Sequence, residues 1–338
     1  MVERPRLTPA IADARRSVRE LYANTIKSGD RVLLAVSGGP DSLALVAASV
    51  FESKKLKLEL AALVVDHGLQ PGSDLVAKQA VETCKLLGVK AATSVRVKVE
   101  AKGEGLEAAA RAARYAALDK HAQEISATAI ALGHNLEDQA ETVMLGISRG
   151  SGLTSISGMP EVSHDGKYLR PFLALPRQTL RQSLTDLGVS FWDDPQNSDR
   201  SFKRVRVRQL LETLGSELGP GFVAGLSRTA ILAAEADQVL TELALAAEKG
   251  AFLGKTAKTV SYSVALLPGE PGIRRKCLHL IATRAGAKAL SRTQVLAVDA
   301  LVTNWHGQKS VVLSGITVER VTDQLVFRSN KPPTPGAC

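Results

Sequence analysis

Short apolar runs alternate with helical patterns through the first half of this chain, and the first such unit turns on an unusual loop. Val32–Val36 is a continuous apolar run of the kind shown by buried parallel strands, and Leu43–Phe51 reads as a helix. Between them lies Ser37-Gly38-Gly39-Pro40-Asp41-Ser42. A strand, a glycine-rich turn and a helix N-terminus make an anion site, because unpaired backbone N–H groups point outward and the helix dipole favours negative charge. Gly38 and Gly39 allow close backbone approach to a phosphate. Pro40 suits the first helical position, where no N–H is needed. The loop lacks the Lys of a Walker A motif and the G-x-G-x-x-G spacing of a dinucleotide fold.

The alternation continues. Leu58–Val65 precedes a helical stretch from Ser73 to Leu87, Val89–Val99 precedes Leu106–Glu124, and Ala127–Leu132 precedes Leu136–Ser148. Repeated βα units imply the α/β class, with a doubly wound parallel sheet whose ligands bind beyond the carboxyl ends of the strands. Ser37, Asp66-His67-Gly68 and Gly133-His134-Asn135 each follow such a strand, so they are expected to converge in one crevice. Residues 8 to 27 read as a leading helix, with Thr8 as N-cap and Pro9 in its first turn. Gly150 to Gly158 reads as a mobile loop, and Gly215 to Gly221 as a linker. Phe222 to Lys249 then reads as a long helix, residues 271 to 306 as helical, and 310 to 328 as a hairpin. The division expected is a domain over 1–215, a helical linker with a small α+β domain over 216–330, and a disordered Pro-rich tail over 331–338.

Net charge is +9. An excess of that size suits a polyanionic partner, most simply nucleic acid. The chain has three cysteines, Cys84, Cys277 and Cys338, widely spaced and without a C-x-x-C pair. That argues against a disulfide framework or a zinc site and fits a reducing cytoplasm. Charged residues at the N-terminus exclude a signal peptide, and no uncharged run approaches the ~20 residues of a membrane span.

Four segments are candidates for chemistry. Asp41, beside a phosphate loop, suits a Mg²⁺ ligand as well as a helix cap, and Ser37 and Ser42 suit hydrogen bonds to phosphate oxygens. In Gly133-His134-Asn135-Leu136-Glu137-Asp138-Gln139-Ala140-Glu141-Thr142, Glu137 and Glu141 share a helix face, with Asp138 beside Glu141. Three acids in so short a stretch repel one another unless an amine or Mg²⁺ pairs them; the alternative is a solvated acidic helix start. His134 stands at a strand end, either structural or in contact with nucleotide or substrate. In Leu106–Tyr115, Glu107 and Arg111 are spaced as an i,i+4 pair, while Arg111 and Arg114 are candidates to reach phosphates or a substrate carboxylate. Arg200–Arg208 holds five cations in nine residues, and an extended conformation puts Arg204, Arg206 and Arg208 on one side. With the basic tract 271–292, this run suggests a groove for a nucleic-acid backbone.

The loop resembles that of the PP-loop ATP pyrophosphatases, which cleave ATP between the α- and β-phosphates and adenylate a substrate. Over residues 30 to 215 the order and spacing of motifs resemble the tRNA(Ile)-lysidine synthetases. These motifs are Ser37–Ser42, Val65-Asp66-His67-Gly68-Leu69, Leu106–Tyr115, Gly133-His134, Asp138–Thr142, Arg149–Gly152, Arg170-Pro171-Phe172-Leu173 and Trp192-Asp193-Asp194-Pro195. The resemblance implies that ATP adenylates C2 of the wobble cytidine of a CAU-anticodon tRNA(Ile). Free L-lysine then replaces AMP, changing codon reading from AUG to AUA and aminoacylation from Met to Ile. It implies ATP and Mg²⁺ as cofactors, a cytoplasmic enzyme, and no membrane, and it allows a homodimer. Catalytic roles fall to Asp41, Asp138, Arg111 and His134, and nucleotide binding to Ser37 through Ser42 with Asp66 and His67. Lysine or tRNA binding falls to Glu107, Arg114, Glu137, Glu141, Arg204, Arg206 and Arg208. Glu137 stands where the family has Asp, and Gly105 where Asn is common. The other readings are a PP-loop tRNA thiolase, a small-molecule adenylating ligase, and a non-catalytic RNA-binding protein.

Overall fold

The computed structural model describes residues 7–100, 105–150, 152–193, 199 and 201–330. The chain divides into two compact units. One comprises residues 1–148 and 158–230, the other 149–157 and 231–338. The expected 331–338 tail lies outside the described residues.

The first unit opens with helix α1 (Pro9–Thr25), whose N-cap Thr8 accepts a hydrogen bond from the Ile11 N–H at 3.4 Å. Then follow β1 (Arg31–Val36), α2 (Pro40–Leu56), β2 (Glu59–Asp66), α3 (Ser73–Leu87), β3 (Ala91–Arg96), α4 (Leu106–Glu124), β4 (Ala129–Leu132) and α5 (Leu136–Arg149). The one-turn helix α6 (Leu153–Ile156) groups with the second unit. After it the first unit resumes with β5 (Tyr168–Leu169), α7 (Arg177–Asp186) and α8 (Lys203–Leu218). α9 (Phe222–Ala251) begins in this unit and ends in the other.

The five strands form one sheet in the order β3-β2-β1-β4-β5, with every pairing parallel. Alternation along β1 sorts its side chains between two layers. Val32, Leu34 and Val36 pack in a core with Val18, Tyr22, Leu43 and Leu180, while Leu33 packs in another with Leu118 and Ala122. Both faces are therefore covered, as a doubly wound sheet requires. Strand order reverses between β1 and β4, so their carboxyl ends open the crevice in which such folds bind ligands.

The second unit adds β6 (Phe252–Lys255), β7 (Thr259–Ser263), α10 (Pro271–Arg284), α11 (Arg292–Thr303), β8 (Val311–Leu313), β9 (Ile316–Val321) and β10 (Gln324–Ser329). The stretch expected to be a hairpin at 310–328 forms three strands, β8, β9 and β10, which join β6 and β7 in a five-stranded antiparallel sheet. Leu278, Ile281, Val298 and Leu301 pack with the inward Ile316, Val318, Leu325 and Phe327. No described helix is long and apolar enough to cross a membrane.

Two stretches take a local structure that the sequence reading did not specify. Residues 203–218 are helical rather than extended, as straight-chain Lys, Arg, Gln, Leu and Glu favour. Arg204 and Arg208 therefore share a face at i,i+4 and Arg206 turns away from it. Within the 150–158 stretch, Leu153–Ile156 form a one-turn helix, with hydrogen bonds from the Thr154 and Ser157 hydroxyls.

Candidate active site at the switch point

The loop after β1 is shaped by its own serines. Gly38 adopts φ +84°, and Pro40 starts α2. Ser42 Oγ accepts from the Ser37 N–H at 3.2 Å and donates to the Gly39 carbonyl at 2.9 Å. The Trp192 N–H donates to the Gly38 carbonyl at 3.2 Å, which brings the chain after α7 against the loop. At the end of β4, Gly133 lets two backbones meet: a Cβ there would stand 2.8 Å from the Asp41 carbonyl oxygen. The start of α2 and the start of α5 are thereby brought side by side.

α5 begins with a reciprocal cap. Asn135 Oδ1 accepts from the Asp138 N–H at 2.9 Å, and Asp138 Oδ2 accepts from the Asn135 N–H at 3.1 Å. The Asn135 side-chain amide also donates to Asp41 Oδ2 at 2.9 Å. The Leu136 N–H donates to the Leu175 carbonyl, which positions the start of α7. From there Arg177 reaches both acids, Nε lying 3.6 Å from Asp41 and Nη2 3.4 Å from Asp138. The Arg177 N–H, at the uncovered start of α7, donates to Glu137 Oε2 at 2.9 Å.

The acidic start of α5 is thus compensated by the protein itself, where the sequence left it to an amine or Mg²⁺. The partners come from residues 39 to 67 positions away, beyond the reach of any helical spacing. Glu141 Oε1 accepts from Arg208 Nε at 2.7 Å, and Glu107 lies 3.6 Å from Arg204 rather than pairing with Arg111. Arg111 instead donates to the Tyr115 hydroxyl at 3.1 Å. Arg206 bonds the Ser201 carbonyl at 2.8 Å.

A cavity of about 730 Å³ opens at these strand ends. Its wall includes Asp41, Asp138, Arg114, Arg177, Arg204 and Arg208. Glu107, Arg111, Glu137, Glu141 and Arg206 are not part of that wall. Ser37, Gly39, Pro40, Ser42, Asp66, His67 and His134 also border it, so the three predicted strand-end segments do converge. Four buried atoms of wall residues lack a protein partner: Asp41 Oδ1, His67 Nδ1, His134 Nδ1 and Arg114 Nε. Buried polar atoms are nearly always paired, so the cluster marks a place for a polar ligand.

Burial raises the Asp41 carboxyl to about 7, with the Arg177 charge pulling it down and the Asp138 and Glu137 carboxylates pushing it further up. Burial also raises Glu141, where Asp138 adds to the effect and Arg208 opposes it. His134 falls well below the ordinary histidine range through burial, although Asp138 opposes the shift; its imidazole is neutral at pH 7. His67 is lowered by burial and by Arg114. Asp66 stays below its ordinary value because hydrogen bonds, led by that from the Gly68 N–H, outweigh its burial.

Arg177 and Arg181, which both border the cavity, are not marked by their local sequence, whereas Asn135 lies in a strand-end segment that the sequence does mark. Asn135-x-x-Asp138 carries a capping signature that identifies Asn135; nothing local identifies Arg177. Among the described residues no group of three or more His, Cys, Asp or Glu side chains forms a metal cage. Mg²⁺ does not need one, since it is commonly held by one or two carboxylates together with substrate phosphates. Asp41, with a buried oxygen lacking a partner and Asp138 nearby, fits that requirement.

Family comparison agrees with this geometry. A profile described as the PP-loop domain matches residues 11–214, and one described as the TilS substrate binding domain matches 264–326. The tRNA(Ile)-lysidine synthase of Leifsonia xyli subsp. xyli is 44% identical, over 88% of this chain and 90% of that protein. That of Rhodococcus erythropolis is 43% identical over 92% of each. Among solved structures, the U34-tRNA thiolase NcsA from Methanococcus maripaludis superposes with a TM-score of 0.56 at 22% identity, covering 65% of this chain and 78% of that one. This last likeness is one of fold.

Proposed function

The chain belongs to the tRNA(Ile)-lysidine synthase family, and from that premise we propose that it uses ATP to join L-lysine to C2 of the wobble cytidine in a CAU-anticodon tRNA(Ile). The observation that carries this reading is the cavity where the 37–42 loop, the partnerless Asp41 oxygen and a set of guanidinium groups meet. In the first step the C2 oxygen attacks the α-phosphorus, and the bond from that phosphorus to the bridging oxygen breaks. Negative charge gathers on the departing pyrophosphate. N–H groups of the loop at the start of α2, with Arg114, Arg204 and Arg208, are suited to stabilise it.

Asp41, together with phosphate oxygens, would hold Mg²⁺, which neutralises the polyphosphate when bound. Asp138 is assigned to the lysine amine. Its carboxylate borders the cavity and is oriented by Asn135 and Arg177. In the second step the free-base ε-amine attacks C2, the C2–O bond breaks, and AMP leaves with that oxygen. Glu107 and Glu141 act behind the wall, holding Arg204 and Arg208, while Glu137 fixes the start of α7. Neutral His134 is suited to hydrogen bonding rather than to carrying charge.

A thiolase reading is not favoured. Cys84 and Cys277 are buried, and burial pushes both thiols up to about 12, far from the reactive thiolate.

The direct test is incorporation of labelled lysine into an unmodified CAU-anticodon tRNA(Ile) transcript, with and without ATP, using the CAU-anticodon methionine tRNA as control. ATP-dependent labelling of the isoleucine transcript alone is expected. Labelling of neither transcript by a folded, tRNA-binding protein would overturn the assignment.

A further inference from the structure

The segment after α5 is unusual in its partners. Residues 149–157 group with the second unit, although the chain before and after them belongs to the first. Thr154, on α6, donates its hydroxyl to Asp237 Oδ2 on α9 at 2.9 Å. Lys276, on α10, completes a triangle, its Nζ donating to Asp237 Oδ1 at 2.6 Å and to Thr154 Oγ1 at 3.1 Å. The Lys276 and Asp237 side chains are only 18% and 17% exposed, so solvent screens this pair less than an ion pair on open surface.

A few residues later the same segment is fixed to α5. Gln139 Oε1 accepts from the Met159 N–H at 2.7 Å, and Gln139 Nε2 donates to the Met159 carbonyl at 3.0 Å. Both residues are buried. The clamp also depends on Gly158, where a Cβ would stand 2.6 Å from Gln139 Oε1. Gln139 directly follows Asp138 in sequence, and its N–H donates to the Asn135 carbonyl. Asn135 in turn bonds Asp41.

We propose that residues 152–159 are a strap coupling the second unit to the Asp41–Asn135–Asp138 cluster. Thr154, Asp237, Lys276 and Gln139 are its positioning residues. The coupling is carried by covalent continuity. From Thr154 to Met159 the chain spans at most ~18 Å even when fully extended, and the turn of α6 removes much of that reach. A displacement of Thr154 with its Asp237 and Lys276 partners therefore pulls on Met159 and, through the two-point clamp, on the first turn of α5. A ligand that engages the second unit thereby influences how the acids of the first are held. The inference rests on the reading of Asp41 and Asp138 as the reaction site.

The test uses full-length Thr154→Val and Asp237→Ala, with Asp237→Asn as the conservative variant. For lysine incorporation, kcat is expected to fall about 10- to 100-fold, the scale of effect that a misplacement of about 1 Å has. KM for tRNA should stay within about twofold, as befits the loss of an interaction felt at the reacting centre rather than in binding. Asp237→Asn should recover most of the rate, because it keeps an acceptor for Thr154.

Hydrogen exchange at the Met159 amide supplies a readout independent of turnover. Adding tRNA should change its protection in the unsubstituted protein but not in Thr154→Val. Unchanged kcat in both disruptive variants, or a raised KM with kcat intact, would overturn the strap. If the unsubstituted protein incorporates no lysine, the functional reading fails by itself. The strap is then judged by exchange alone, and identical Met159 responses in the unsubstituted protein and Thr154→Val would reject it.

Discussion

The two units treat their arginines in opposite ways. In the first, Arg177, Arg204 and Arg208 border a cavity while their acidic partners stand beside or behind them, and Arg114 borders it with its Nε lacking a protein partner. In the second, the cations of α10 are engaged by acids of their own unit, Arg274 and Lys276 largely buried and Arg275 and Arg284 more open. Arg274 and Arg275 both bind Asp299, at 2.6 and 2.9 Å, Lys276 binds Asp237, and Arg284 binds Glu248. Most of the cations that the sequence offers to a nucleic-acid groove at residues 271–292 are thus paired within the unit. Lys288 and Arg292 are exposed and have no partner among the described residues, whereas the four α10 cations are engaged. A cation already desolvated and paired has little left to offer a phosphate; one held from behind still presents N–H groups forward. The number of arginines in a tract thus says less than the location of their carboxylates.

The contrast is sharpened most strongly by removing a carboxylate from the second unit. Asp299→Ala leaves the buried Arg274 guanidinium without its acid, and breaking such a pair costs roughly 3–5 kcal/mol. Thermal unfolding should show a large fall in the Tm of the second unit. A change of under about 1 kcal/mol, the scale of exposed ion pairs, would mean that the pair is solvated and the contrast false.

A second probe concerns Asp41. Its folded value, raised to about 7, lies above the ordinary carboxylate value. The neutral acid therefore favours the folded state at low pH, and this contribution is lost as pH rises through about 7. A bound cation needs the ionised carboxylate, so Mg²⁺ with a non-hydrolysable ATP analogue should raise Tm more at about pH 8 than at about pH 6. Equal shifts would remove Asp41 from the cation's ligands.

The smallest effect tests the open arginines. Arg204→Gln should weaken tRNA binding and lower the salt slope of log K by about one unit if its guanidinium meets a phosphate. Arg275→Gln should leave that slope unchanged. The reverse result would place the phosphate-facing cations in the second unit.

Much of the site was legible because its parts are local. The 37–42 loop, the strand-end His67 and His134, and the α5 acids announce themselves through a strand, a turn and a helix start within a dozen residues. Glu107, Glu137 and Glu141 were equally visible, but not their partners. Their engagement with Arg204, the Arg177 N–H and Arg208 joins residues 40 to 97 positions apart. Nothing in a hydrophobic period encodes such pairings. A further βα-like unit before about Leu214 was legible, but not the position of the two-residue β5, whose existence depends on the edge β4 offers it. Arg204, Arg206 and Arg208 alternate in sequence as a strand would, yet the surrounding residues favour helix, and packing chose the helix.

The sequence by itself determined the α/β class, the phosphate-type loop, the convergence of three strand ends and the family, because each depends on short-range periodicity or on a motif whose geometry is local. Only the tertiary structure decided which charges are engaged internally and which border the cavity. It also placed Arg177 between two acids and threaded the strap through Gln139. Those outcomes are settled by long-range desolvation and pairing, where a buried charge must find its partner wherever the fold happens to bring one.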